Sequence, residues 1–214
     1  MKMIISIKQA ALIGSCLSAL FIFSLSACND NQSNTATNSD STATTTPADS
    51  LAANTGAVTV AANSATATIS GTMPDTAVNG TAQFTVNNGK VKMMLELTVP
   101  SKASKEVAVH LHEGGNCNDT AKAAGAHWNP TNAKHGKWGG ASYHSGDIGN
   151  VKLDKNGKGS IEIETDLWSI GGAPTTDILN KSVIVHSGKD DYTTQPSGNS
   201  GSRIGCGIIN AGNK

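Results

Sequence analysis

Beyond Ala61, apolar and polar residues alternate in short runs broken by turn-forming residues, and no stretch keeps the 3.6-residue spacing of an amphipathic helix long enough to form one. TAQFTV, then Asn87-Asn88-Gly89, then KVKMMLELTV predicts a hairpin, because Asn and Gly tolerate the positive φ that tight hairpin turns need. NVKLD, then Lys155-Asn156-Gly157, then GSIEIET predicts a second. Further strands are expected at Thr66 to Gly71, Glu106 to His112, Ser182 to His186 and Ile204 to Asn210, about eight in all. That pattern predicts an all-β fold, an antiparallel sandwich or flattened barrel. Two connections, 113 to 148 and 187 to 203, are too long for hairpins, and structureless loops of that length in compact domains usually carry function.

The amino-terminal stretch breaks the alternation. In MKMIISIKQAALIGSCLSALFIFSLSAC, Lys2 and Lys8 precede an apolar run from about Ala10 to Leu25, and small residues lead to Cys28, the layout of an export signal. The alternative, a single membrane-spanning anchor, meets a run a little short for the ~20 residues of a bilayer span and no basic stop after it. Leu25-Ser26-Ala27-Cys28 resembles a bacterial lipobox, which implies an acylated Cys28 as the first mature residue. From Asn29 to Val60 the chain is mostly Ser, Thr, Asn and Ala without Lys or Arg, too polar to build a core. As a random coil this tether would span about 30 Å. The expected organisation is a signal over 1–27, a lipidated cysteine and tether over 28–60, and one domain over 61–214.

Charge excludes some partners. Lys and Arg number 16 against 16 Asp and Glu, and removal of Lys2 and Lys8 with the signal would leave 14 against 16. No polybasic face speaks for nucleic acid. Export also permits disulfides. With Cys16 leaving in the signal and Cys28 lipidated, Cys117 and Cys206 remain, the right number for one bridge.

All six histidines lie in the domain. His110 and His112 sit two apart on one predicted strand and therefore share a face. Alone, such a pair is more often a half-buried polar strand than a pair of ligands. Here His127, His135, His144 and Asp147 follow in the first long connection, and His186 ends the apolar strand SVIVH. Six unrelated surface histidines would not be expected to avoid the tether and the turns.

VHLHEGGNC, GAHWNP, KHGKWGGASYHSGDIGN, VIVHSGKDD and GNSGSRIGCGII resemble, in order and spacing, the signature segments of copper/zinc superoxide dismutases, in particular exported bacterial lipoprotein members. The resemblance implies an eight-stranded Greek-key sandwich or flattened barrel with two long functional loops. It implies copper held by His110, His112, His127 and His186, and zinc by His127, His135, His144 and Asp147, so that His127 bridges the two metals. Four imidazoles suit Cu(II), and three imidazoles with one carboxylate suit a closed structural zinc site. Arg203 matches the arginine at the copper mouth and, with His127, would be catalytic. Asp190, in preference to its neighbour Asp191, matches an aspartate linking His110 to His135, and Cys117 and Cys206 match the family disulfide. The implied reaction is dismutation of superoxide to dioxygen and hydrogen peroxide, in the periplasm or at the cell surface, with a membrane attachment through Cys28 and room for a homodimer. A non-catalytic copper-binding or copper-delivery module of the same fold is the alternative, and would be expected to lack a copper ligand or the arginine. A zinc hydrolase would need an open zinc position. The 187 to 203 connection is shorter than in animal members and lacks their Glu- and Lys-rich guidance segment; Lys134, Lys137 and Lys189 flank the loops and could substitute for it, although such lysines are more often ordinary solvated ones.

Overall fold

A computed structural model describes residues 62–212; the signal, Cys28 and the tether lie outside the described residues. Nine strands form among the described residues: β1 Ser64–Gly71, β2 Asn79–Asn87, β3 Lys90–Thr98, β4 Glu106–His112, β5 Gly149–Lys152, β6 Lys158–Thr165, β7 Ser182–His186, β8 Arg203–Ile208 and the two-residue β9 Asn210–Ala211. Eight make one antiparallel path, β5-β4-β7-β8-β1-β2-β3-β6, and β9 adds to β1. The β2–β3 hairpin forms as its turn residues predict, with Asn87 opposite Lys90 and positive φ at Asn88 (49°) and Gly89 (77°).

The second expected hairpin does not form. β5 pairs with β4 and β6 pairs with β3, so the strands flanking Lys155-Asn156-Gly157 lie at opposite ends of the path. The turn itself is present, closed by the Asp154 N–H on Lys158 O at 2.8 Å. A chain advances at most ~3.5 Å per residue, so the short link from Lys152 to Lys158 brings the two edges of the path together. The sheet therefore curls into a nearly closed eight-stranded barrel.

Alternation gives each strand an inner and an outer face. Val107, Val109 and Leu111 of β4, with Val183 and Val185 of β7 and Ile204 of β8, point into the main core beside Phe84, Met93 and Leu95. The outer face of the same strands carries Ala108, His110 and His112, then Ser182, Ile184 and His186, then Cys206, which a β-bulge at Ile204 puts out of phase with that residue. Those positions are also buried, which is why β7 has no exposed residue at all. Residues 113–148 and 187–202 lie over that outer face, and a small second apolar cluster of Ala121, Ala124, Ile184 and Cys206 fills part of the space beneath.

Candidate metal centre

His110 and His112 reach the outer face of β4 because they are two residues apart. β5 runs beside β4 only as far as Val109, and beyond it loop backbone takes the vacant edge. The Leu111 N–H donates to Gly146 O at 2.8 Å, and Leu111 O accepts from Trp128 N–H at 2.8 Å. His127 is thereby set opposite His112. Gly146 is required for this approach, since a Cβ there would overlap the Leu111 carbonyl. On the other side, a β-bulge between β7 and β8 brings His186 opposite Arg203.

Two groups of ligand atoms result, each within 4.8 Å of one another: His110, His112, His127 and His186; and His127, His135, His144 and Asp147. Every one of these side chains is buried, with Asp147 and His110 fully so. The hydrogen bonds define which ring nitrogen faces where. His110 Nε2 meets Asp190 Oδ2 at 2.8 Å, His112 Nδ1 meets Gly125 O at 2.9 Å and His186 Nδ1 meets Gly201 O at 3.2 Å. His135 Nε2 meets Asp190 Oδ1 at 3.0 Å. What remains is His110 Nδ1, His112 Nε2, His127 Nε2, His135 Nδ1, His144 Nδ1 and His186 Nε2, all buried and without a hydrogen-bond partner. Buried polar atoms are rarely left so. At His110, His112, His135 and His186 the outer nitrogen is bound to an acceptor, so the inner nitrogen presents a lone pair, as a metal ligand must. His135 Nδ1 and His144 Nδ1 lie 3.0 and 3.1 Å from Asp147 oxygens without hydrogen-bond geometry, a spacing that suits donors gathered around one ion.

Electrostatics agrees with this division at the four-histidine group. Burial holds His112 down at about 2, His186 at about 3 and His127 at about 4, so these rings are neutral and able to coordinate. Burial likewise lowers His110, against the pull of Asp190. His135 goes the other way: burial is outweighed by Asp147 and Asp190, which raise it to about 9. Burial would raise Asp147, yet the imidazoles of His127, His135 and His144 hold it well below the usual carboxylate range.

A family model described as copper/zinc superoxide dismutase (SODC) matches residues 78–209. The chain belongs to the copper/zinc superoxide dismutase family. It is 34% identical over 108 residues to "Superoxide dismutase [Cu-Zn] 2" of Aquifex aeolicus (strain VF5), covering 49% of this chain and 63% of that one. It is 36% identical over 106 residues to "Superoxide dismutase [Cu-Zn] 5" of Dictyostelium discoideum, covering 47% and 68%. Aligned stretches thus span about two thirds of these relatives. The solved structure "Crystal Structure Analysis of the clock protein EA4" superposes with a TM-score of 0.61 at 31% identity, covering 71% of this chain and 96% of that one. The four-histidine group is the copper site of the superoxide dismutase fold, the three-histidine carboxylate group is its zinc site, and His127 is common to both.

The copper site opens to a cleft of about 730 Å³ lined by His112, His127, His186, Lys134 and Arg203. A groove of similar size, about 710 Å³, crosses the outer face of β1, β2, β3 and β6 and holds none of the site residues. Arg203 is fixed by three loop carbonyls: Nη1 donates to Ala121 O at 2.6 Å and Lys122 O at 3.3 Å, and Nη2 to Gly125 O at 2.7 Å. Gly125 O therefore serves His112 and Arg203 together. The loop that supplies these carbonyls is tied to β8 by the Cys117–Cys206 disulfide, Cα atoms 5.8 Å apart. Asp190 joins the two sites through His110 and His135, and takes the Tyr192 N–H at 2.7 Å; Asp191 is exposed and caps its own turn at Thr193 and Thr194. Asn150 locks the backbone of Asp190, accepting its N–H at 2.7 Å and donating to its carbonyl at 2.9 Å. Nothing in the sequence marks Asn150 or the carbonyls of Gly125 and Gly201, because a backbone acceptor has no side-chain identity. Trp128 is buried in the core and Trp138 packs against it, as loop-packing residues should.

Proposed function

We propose that this protein dismutes superoxide to dioxygen and hydrogen peroxide, two superoxides and two protons being consumed per cycle. The observation that carries the reading is the shared His127, whose Nδ1 lies beside Asp147 at 2.9 Å while its Nε2 faces the copper group without a partner. Copper held by His110, His112, His127 and His186 would supply a one-electron couple, which no side chain has.

The chain's own residues do the rest. With Nδ1 committed to the zinc group, Nε2 is the one atom of His127 that exchanges a proton. It takes one in the first half of the cycle and gives it up toward the forming peroxide in the second, and solvent in the cleft supplies the other. Arg203, charged at any working pH and held in place by carbonyls, offers a planar donor fork to a small anion at the cleft floor. Asp190 and the carbonyls of Gly125 and Gly201 fix the tautomers of His110, His112 and His186, keeping the copper-facing nitrogens unprotonated.

The test is superoxide decay by pulse radiolysis with the copper- and zinc-loaded protein. A rate no faster than that of the metal-free chain, with both metals bound, would refute the enzyme reading and favour the copper-delivery one. His127→Ala should weaken both metals together.

The export layout ending at Cys28 supports a lipid-anchored domain on a tether, in the periplasm or at a cell surface. Mass spectrometry of the membrane fraction should find a diacylglycerol on Cys28, and Cys28→Ser should release the domain.

A further inference from the structure

Zinc-site side chains lie along residues 127–147, a segment with no regular secondary structure. A short run of ligands on irregular backbone has many conformations, and a metal must select the one in which all four donors converge. Two side chains that are not ligands, from outside this segment, grip its backbone at or between the ligands. Trp168, 2% exposed, donates its indole N–H to Ser145 O at 2.8 Å, and Ser145 lies between His144 and Asp147. Gln195, from the second long loop, accepts the His135 N–H through Oε1 and donates through Nε2 to His135 O, both at 2.9 Å. The Gln195 amide thus saturates the backbone of one zinc ligand in the way a neighbouring strand would. The Trp168 ring also packs edge-on to Trp138, centroids 5.4 Å apart, and Trp138 packs on Tyr143 at 5.2 Å. Those two aromatics flank the stretch between His135 and His144, so it is held from its side chains as well as its backbone.

We propose that Trp168 and Gln195 are positioning residues that hold the zinc segment in its ligating shape before the metal arrives. The inference rests on the zinc-site reading. Its physical content is a population: a site whose binding-competent form is only fractionally populated binds more weakly by that fraction. Trp168→Phe keeps an aromatic side chain but removes the N–H together with the indole's pyrrole ring, a packing loss that the core control below accounts for; Gln195→Ala removes an exposed side chain outside the core.

The experiment uses the full metal-free chain. Zinc affinity is measured by chelator competition, Co(II) serves as the spectroscopic probe of the same site, and backbone hydrogen exchange is followed with and without zinc. Each variant should bind zinc about tenfold more weakly, in the range found for groups that orient metal ligands. In the metal-free form, the His144 and Gly146 amides, which donate to Asp147 and to Trp128 O, should exchange faster than in the parent. With zinc bound, the difference should vanish and the Co(II) spectrum should match the parent's. Phe84→Leu is the control for simple loss of core packing, because Phe84 meets the same indole at 6.1 Å without touching its N–H. It should lower stability and leave zinc affinity unchanged. Zinc affinities of both variants within twofold of the parent, or an equal loss in Phe84→Leu, would overturn the proposal. A parent chain that binds neither zinc nor Co(II) at His135 and His144 would overturn the site reading beneath it, and that failure appears before any variant is made.

Discussion

Gly198→Ala tests the Asp190 link without replacing a ligand. Gly198 has φ of +67° and lies directly against the Asp190 carboxylate; a Cβ there would overlap Asp190 Oδ1 and sit 2.6 Å from His135 Nε2. The backbone has little room to retreat, since Gly198 N–H donates to Thr194 O at 2.7 Å and Gly198 O accepts from Asp191 N–H at 2.9 Å. The carboxylate must therefore move, and Oδ1 loses His135 or the Tyr192 amide. Left-handed φ in alanine costs about 1 kcal/mol. A lost hydrogen bond to a buried charge costs about 1.5 to 3 kcal/mol more. The sum, roughly 3 kcal/mol, corresponds to a fall in Tm of about 6 to 12 °C for a domain of this size. Freed from Asp190, His135 loses the bond that sets its tautomer, so zinc affinity should drop about 10- to 100-fold. Calorimetry of the metal-free chain and zinc competition with a chelator read the two effects. A Tm within about 2 °C of the parent, together with unchanged zinc affinity, would show that Asp190 does not tie the sites in the way described.

Arg203→Lys keeps the charge but cannot span Ala121, Lys122 and Gly125, so kcat/KM for superoxide should fall about tenfold while both metals stay bound, as metal analysis would verify. Cys117→Ser opens a closure of 89 residues and should cost about 4 to 5 kcal/mol in the loop-entropy relation, with a parallel loss of activity as the Arg203 carbonyls loosen; denaturant unfolding and kinetics at matched metal content check both. The metal-free chain should lose stability in acid. His127, His186 and His112 titrate in the folded state at about 4, 3 and 2, below their unfolded value of 6.5, so their contribution is complete above pH 6.5 and is lost as the pH falls through those values. His135, raised to about 9, works in the opposite sense and gives up its contribution between pH 6.5 and 9. Melting curves from pH 9 to pH 4 should thus bend down at both ends, and a flat profile below pH 6.5 would contradict the buried neutral histidines.

The ligands were legible in the sequence because a metal site needs particular side chains in a particular order, and His110, His112, His127, His135, His144, Asp147 and His186 keep both. Trp168 was not, since the bond it makes to Ser145 O depends on two segments that bear no spacing relation until the barrel closes. Gln195 reads as an ordinary polar loop residue for the same reason. The fold shows a similar boundary. Lys155-Asn156-Gly157 announces a reversal and the reversal occurs, but turn chemistry specifies direction and leaves the partner of each strand open. β6 finds eight paired positions on β3 and β5 four on β4.

The two faces of β4, β7 and β8 make the barrel's strand register and its metal chemistry answerable to each other. A slip of one residue in β4 would turn His110 and His112 into the space now filled by Val109 and Leu111 and push those apolar side chains out beneath the loops. Such a chain would have neither a dry interior nor a ligand set. Only a molecule whose strands have paired in the right phase presents the ligand set that metal ions can lock.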